Sequence, residues 1–364
     1  MMSNAYPLSR RLSLRRKALL LSCGTLAMAA VALVPQKARA QAFNGSFSSV
    51  DATQAITGTN TETITVNNPT ATINWTATSN NFLPAGNTAT FTSSPTITDY
   101  TVLNRVTPAD SSNPIQLNGT VISTIQGTST TGGNIWFYSP SGIVVGATAV
   151  FDVGSLLLTT LDPRSWNASG DGFSASFAPE EGGTPGAIQI LDGAQISALN
   201  EGSYVAMVAP RIEQGGNVQV TGTAGYFAGE QMSMTFSQGL FDVTIDIGTG
   251  DANGIVHTGV TSGPSSMGAG DTHRIYMAAV PKNQALTMLL SGNIGFAPAD
   301  SAEIENGQII LSAGWSPYYD QESGGTGWQT FDTTSDAGIQ ILGGDFTSLV
   351  DAFANSDILV ATQN

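Results

Sequence analysis

Short strands that recur with almost nothing helical between them constrain this chain more than any other feature. Ala187-Ile188-Gln189-Ile190-Leu191, Ser203-Tyr204-Val205-Ala206-Met207-Val208, Asn217-Val218-Gln219-Val220 and Gly225-Tyr226-Phe227-Ala228 follow one another between Gly or Asn turns, spaced roughly 7 to 12 residues apart. The pattern returns at Arg274-Ile275-Tyr276-Met277-Ala278, Gln308-Ile309-Ile310-Leu311-Ser312 and Gly338-Ile339-Gln340-Ile341-Leu342. Nearer the start, Thr63-Ile64-Thr65-Val66, Ala71-Thr72-Ile73-Asn74-Trp75 and Thr88-Ala89-Thr90-Phe91 alternate with period two, divided by Asn67-Asn68-Pro69 and Pro84-Ala85-Gly86-Asn87 as turns. A sandwich of antiparallel hairpins would also space strands this way. Yet the paired-turn dipeptides of tight hairpins are few. Strands of roughly three to five residues suit a coil that carries the chain sideways, each backbone pairing with the rungs above and below. The chain reads as all-β, a parallel β-helix or solenoid.

Coils of ~20–25 residues would give roughly 13–16 rungs and a rod on the order of 60–75 Å long, at ~4.8 Å per rung. Open β-edges invite aggregation, so the strands from 43 to 100 are expected to form an N-terminal capping β-segment. Near the other end, Asp357-Ile358-Leu359-Val360-Ala361-Thr362 reads as a strand. Phe346, Leu349, Val350 and Phe353 fall at helical spacing and fit a short capping helix, whereas the Gly343-Gly344-Asp345 lead-in fits one more coil, the preferred reading.

The first forty residues read as an export signal. Arg10, Arg11, Arg15, Arg16 and Lys17 precede an apolar run from Ala18 to Val34, and Ala38-Arg39-Ala40 supplies a small-x-small site predicting cleavage between Ala40 and Gln41. That run falls short of the ~20 apolar residues of a spanning helix. Ser9-Arg10-Arg11-Leu12-Ser13-Leu14 resembles a twin-arginine signal without the usual Phe at position 13, so both general and twin-arginine export stay open. Seven of the 12 basic residues lie in this segment. The remaining five (Arg105, Arg164, Arg211, Arg274 and Lys282) face 27 acidic residues, leaving a net charge of −22. Such a surface repels phosphate backbones and anionic lipid, so no nucleic-acid partner is expected. Cys23 is the only cysteine, so the processed chain carries no thiol.

The chemistry-bearing residues are sparse. His257 and His273 have no Cys partners and no His-x-x-x-His spacing, and read as solvated loop histidines rather than metal ligands. No Gly-x-Ser-x-Gly elbow appears. Parallel β-helices that cleave acidic polysaccharides use clustered carboxylates with a basic residue. Asp242, Asp246 and Asp251 near Arg274 or Lys282 are the candidates for a secreted polysaccharide lyase or hydrolase, the alternative reading. The scarcity of cations makes a polyanionic sugar unfavourable, and Asp251-Ala252-Asn253-Gly254 supplies only part of a calcium loop. The expectation is therefore no enzyme, no catalytic residue, no metal and no cofactor.

Val102-Leu103-Asn104-Arg105-Val106 and, after a polar gap, Gly133-Asn134-Ile135-Trp136-Phe137-Tyr138-Ser139-Pro140-Ser141-Gly142-Ile143-Val144-Val145-Gly146 together resemble the secretion domain of filamentous-haemagglutinin-type exoproteins. That family carries an Asn-Arg-Val turn and an apolar strand running into Asn-Pro-Asn-Gly-Ile; here the second turn reads Ser139-Pro140-Ser141-Gly142-Ile143. The resemblance implies a right-handed β-helix and a two-partner secretion domain (haemagglutination activity domain) over 41–185, after a signal peptide over 1–40. A continuing shaft would occupy 186–364, as the front of a longer exoprotein or a shortened member of the family. It also implies a partner, an outer-membrane transporter barrel with periplasmic receptor domains, which recognises Asn104, Arg105, Val106, Ser139, Pro140, Ser141, Gly142 and Ile143. The implied product is an adhesin, secreted by or displayed on a Gram-negative bacterium via the periplasm, with a host or cell-surface receptor, glycan or protein, as its further partner.

Overall fold

The computed structural model describes residues 41–128, 130–169, 172–237, 239–265, 273–297, 307–320, 325–330, 335–341 and 356–362. The signal segment with Ala40, and the Phe346 to Phe353 stretch whose spacing fits a capping helix, lie outside the described residues.

The chain winds as a parallel β-helix with three walls. The first wall stacks Ile115–Leu117, Ile143–Val145, Ile188–Ile190, Ile212–Gln214, Ile255–His257, Leu286–Leu290 and Ala337–Ile341, every neighbour parallel. The second runs from Thr61–Val66 through Thr88–Ser93, Thr120–Thr124 and Val150–Asp152 to Asn293–Phe296. The third runs from Thr70–Ala77 through Thr101–Thr107, Asn134–Tyr138 and Ser155–Thr159 to Ser356–Thr362. Two long strands, Gln195–Ala209 and Asn217–Ala228, turn the corner and serve both walls.

The sequence patterns follow from what each wall faces. Second-wall strands alternate, with Ile64, Phe91, Val121 and Phe151 enclosed in the tube and their neighbours turned to solvent. The middle strands of the third wall are buried on both sides and read as continuous apolar runs, such as Asn-Ile-Trp-Phe-Tyr and Ser-Leu-Leu-Leu-Thr, whereas Thr70–Ala77 at its start alternates. The tube interior takes Ile135, Phe137, Leu156 and Leu158, while Trp136 and Leu157 point outward into a second apolar cluster.

That second cluster lies beneath an antiparallel sheet of Asp162–Ser169, Gly172–Ala178, Gln231–Ser237 and Leu240–Ile247. It comprises two hairpins that leave different coils and pair with each other, Phe173 opposite Phe236. Trp136 anchors the sheet: its ring meets Phe173 at 4.9 Å and Trp166 at 5.2 Å, and its indole N–H donates to the Tyr204 hydroxyl at 2.7 Å. A third hairpin, Trp315–Asp320 with Gly325–Thr330, is joined to the sheet edge by the Ile245 N–H donating to Ser316 Oγ at 2.9 Å.

These excursions correct the coil count. Ile115 pairs with Ile143 and Ile188 with Ile212, so a plain coil takes 28 or 24 residues, but Ile143 pairs with Ile188, 45 residues on. The third wall has nine rungs among the described residues, a stack of roughly 40 Å instead of 60–75 Å. The expectation of few hairpins fails for the same reason: they lie on the outside of the coil.

The N-terminal cap is present but shorter than the 43–100 expected. Gly45–Ser48 and Ala52–Gly58 run antiparallel to the first coil strands, whereas Thr61–Val66 and Thr70–Ala77 already belong to parallel ladders. Ala42 and Phe43 plug the tube, Phe43 stacking on Phe82 at 4.7 Å and meeting Trp75 at 5.0 Å. Buried Glu62 accepts the Ala42 N–H at 3.1 Å and the Gln54 amide at 3.0 Å; burial raises its pKa against the pull of these donors.

Candidate functional site

The two motifs occupy adjacent rungs of the third wall. Asn104, Arg105 and Val106 do not form the expected turn; they sit within the strand Thr101–Thr107, with Asn104 and Val106 facing the tube. Period-two geometry puts Asn104 between Ile73 above and Phe137 below. A polar side chain is tolerated there because its bonds are made: the Trp75 indole N–H donates to Asn104 Oδ1 at 3.0 Å, and Asn104 Nδ2 donates to the Trp136 carbonyl at 3.1 Å. Asn104 therefore ties three consecutive coils, a role that sequence reasoning missed because Trp75 lies 29 residues away.

Arg105 points outward. Its guanidinium meets Asp162 at 2.7 Å and lies over the Tyr138 ring, 4.9 Å from the centroid. The Tyr138 hydroxyl donates to Glu180 at 2.8 Å. Asp162 opens the first hairpin and Glu180 follows it, so Arg105 and Tyr138 moor both ends of that excursion to the wall.

Ser139-Pro140-Ser141-Gly142 does form a turn, joining the third wall to the first. The Gly142 N–H donates to the Ser139 carbonyl at 3.3 Å, and the hydroxyls of Ser139 and Ser141 lie 3.3 Å apart. Gly142 has φ +113°, a region disfavoured for residues with a Cβ. The turn is stitched to both neighbours: Ile115 N–H to Gly142 O at 3.0 Å, Ile143 N–H to Ala187 O at 3.0 Å, and Gly186 N–H to Pro140 O at 2.9 Å. Gln41, the expected first residue of the processed chain, is half-buried beside the plug.

The candidates for carboxylate chemistry do not converge. Asp242 and Asp246 project from the solvent face of the outer sheet. Asp251 is bound to Arg211 at 2.8 Å and caps its own loop through the Asn253 N–H, and Lys282 is paired with Glu230. No group of three or more His, Cys, Asp or Glu among the described residues is placed to hold a metal.

Neither histidine is a solvated loop residue. His273 is buried and stacked 5.2 Å from Phe296. His257 faces the tube from its first-wall strand, with Nδ1 2.8 Å from the Ser291 carbonyl and Nε2 2.9 Å from the Thr261 hydroxyl, itself 2.6 Å from the Tyr226 hydroxyl. A carbonyl only accepts, so Nδ1 carries the proton of the neutral ring. Burial lowers its pKa to about 4, partly opposed by the Ser291 carbonyl, which favours the protonated form.

The unfolded ring, titrating at about 6.5, therefore takes up its proton first on acidification. Stability from this group is complete above pH ~6.5, declines as pH falls toward about 4, and changes no further below it, a loss on the order of 3 kcal/mol at most. Urea titrations between pH 7 and pH 4 should show a steeper decline for the wild type than for His257→Gln. Parallel curves would exclude this role for His257.

A parallel β-helix carrying these two motifs on adjacent coils is the architecture expected of an export module, and comparison with known proteins gives its family. The chain belongs to the TPS secretion domain family, whose profile matches residues 38–264. It is thus an exoprotein of two-partner secretion, a class that implies a partner transporter in the outer membrane and a product secreted by a Gram-negative bacterium. Among solved structures it is similar to the HMW1 secretion domain from Haemophilus influenzae, at 15% identity over 87% of this chain and 83% of that one, with a TM-score of 0.44. It is also similar to the filamentous hemagglutinin secretion domain, at 11% identity over 88% of this chain and 97% of that one, with a TM-score of 0.39. A comparison with curated proteins finds no match.

Proposed function

We propose that this exoprotein is an adhesin, exported through the periplasm after cleavage between Ala40 and Gln41. Its Asn104 and Ser139–Gly142 segments would be read by the transporter before the coil forms. The observation that carries the reading is the family match together with the placement of both motifs in the first coils to be completed. Asn104 is fully enclosed once folded, so direct recognition of its side chain belongs to the unfolded chain. The absence of thiols in residues 41–364 supports passage as an unlinked polypeptide. Each completed coil buries residues such as Phe91, Val121 or Phe151 on its predecessor, at ~1.5–3 kcal/mol per large side chain, which favours onward winding outside the cell.

Co-expression with and without the transporter tests this. With it, a chain beginning at Gln41 is expected in the medium or on the surface; without it, the same processed chain should be retained in the periplasm. Equal extracellular yield in both strains would defeat the export reading. Failure of the displayed protein to promote attachment to any cell or matrix would defeat the adhesive one.

A further inference from the structure

The outer sheet turns one face to the third wall and the other to solvent, and its solvent face has a distinctive make-up. In register across it, Ser174 lies opposite Thr235 and Thr235 opposite Asp242, while Ser176 lies opposite Ser233 and Ser233 opposite Thr244. These short hydroxyl side chains floor a trough of about 340 Å³. Asp242 and Thr244 also line a recess of about 580 Å³, completed by Tyr318, Trp328 and Gln329 of the last hairpin. Trough and recess therefore share a boundary.

The aromatic side of the recess is shaped by a glycine. Tyr318 pairs across the hairpin with Gly327, where a Cβ would stand 2.4 Å from the Tyr318 ring. Only a residue without a side chain lets that ring lie down over the partner strand. Trp328 packs partly on the apolar cluster beneath and stays half-exposed. The Thr244 hydroxyl donates to Gln329 Oε1 at 3.3 Å, which fixes the amide at the rim.

Two partly exposed aromatic rings, one carboxylate, one amide and a floor of hydroxyls form a selective combination. Ring faces cover the apolar C–H face of a pyranose, and planar polar side chains bond its hydroxyls. Among the described residues no Lys or Arg lines either depression, Asp242 stands at their junction, and the processed chain is strongly acidic, so a sulfated, sialylated or uronic sugar would be repelled. We propose that this trough and recess form a binding site for a neutral pyranose oligosaccharide. The inference deepens the adhesive reading above and rests on it for its biological role.

The test is calorimetric titration of the secreted chain with maltohexaose, cellohexaose and chitohexaose, and with heparin as an anionic probe. The same titrations are repeated on Tyr318→Ala, Asp242→Ala and Gln329→Ala. Asp242 and Gln329 are exposed, so their variants should fold normally, and circular dichroism with a urea melt checks this. Saturable binding of at least one neutral sugar, weakened roughly tenfold in the Asp242 and Gln329 variants, is the expected result, with no binding of heparin. Absence of binding to all three sugars, unchanged affinity in the folded variants, or preference for heparin would overturn the site. Adhesion that persists when the variants have lost the sugar removes the groove from adhesion and leaves the adhesive reading intact.

Discussion

Asn104→Ala is expected to destabilise the secreted chain by about 4 kcal/mol in urea denaturation. The substitution leaves the Trp75 indole N–H, fully enclosed, without the acceptor it holds at 3.0 Å. A buried unsatisfied donor costs ~1–3 kcal/mol, and the emptied volume between Ile73 and Phe137 adds a cavity penalty of ~1–2 kcal/mol. The damage should spread toward the N-terminal plug, because the Trp75 ring touches Phe43, Phe47 and Phe82. Proteolysis near residue 43 should therefore accelerate in the variant. An unchanged urea midpoint would show that the bridge between coils contributes nothing. Asn104→Asp separates the two halves of the bridge: it keeps the acceptor for Trp75 but gives up the donor to Trp136 and buries a carboxylate, so it too should lose stability.

Gly142→Val should be of similar size, about 4 kcal/mol, for different reasons. At φ +113° a β-branched residue carries a backbone penalty of ~1–3 kcal/mol. Its Cβ would stand 3.0 Å from the Ala187 carbonyl oxygen and 3.1 Å from Pro114 Cβ, an overpacking of ~1–3 kcal/mol. Because Ile115 and Ile143 take their hydrogen bonds at this turn from two different coils, amide exchange should quicken at both. Ser141→Ala is the control: among the described residues its hydroxyl meets that of Ser139 alone, at 3.3 Å, and stability should change by less than about 1 kcal/mol. If Gly142→Val melts like that control, the turn is not the joint described. Secretion assays add a second axis. Loss of export by Asn104→Ala in a background restabilised elsewhere would assign the residue to recognition; recovered export would assign it to folding.

The solenoid was readable because short strands such as Ala187–Leu191 and Asn217–Val220 recur between Gly or Asn turns with few tight-hairpin dipeptides, and because the two export motifs lie in order. The outer sheet was not. Phe173-Ser174-Ala175-Ser176-Phe177 alternates as cleanly as any second-wall strand. Period two declares that one face is covered and says nothing about whether the cover is the tube or its exterior. The continuous runs at Trp136 and Leu157 carried the missing information, since strands apolar on both sides need a second layer. Misplacing Asn104 in a turn followed from carrying over the Asn-Arg-Val turn that the family resemblance implies; its burial depends on an indole donor one coil above, a distance relation absent from local sequence. His257 misled similarly, for a neutral imidazole bonded at both nitrogens can be enclosed without a charge.

The outer layer carries a timing consequence. Its first hairpin closes at Ala178, but the strand that pairs with it begins only at Gln231. A polypeptide delivered front end first would leave Phe173 without Phe236 and Phe241 while two further coils are laid down. Throughout that interval the emerging product is sticky on one flank, and a translocation stall there should leave surface-trapped, aggregation-prone intermediates that release once the missing half arrives.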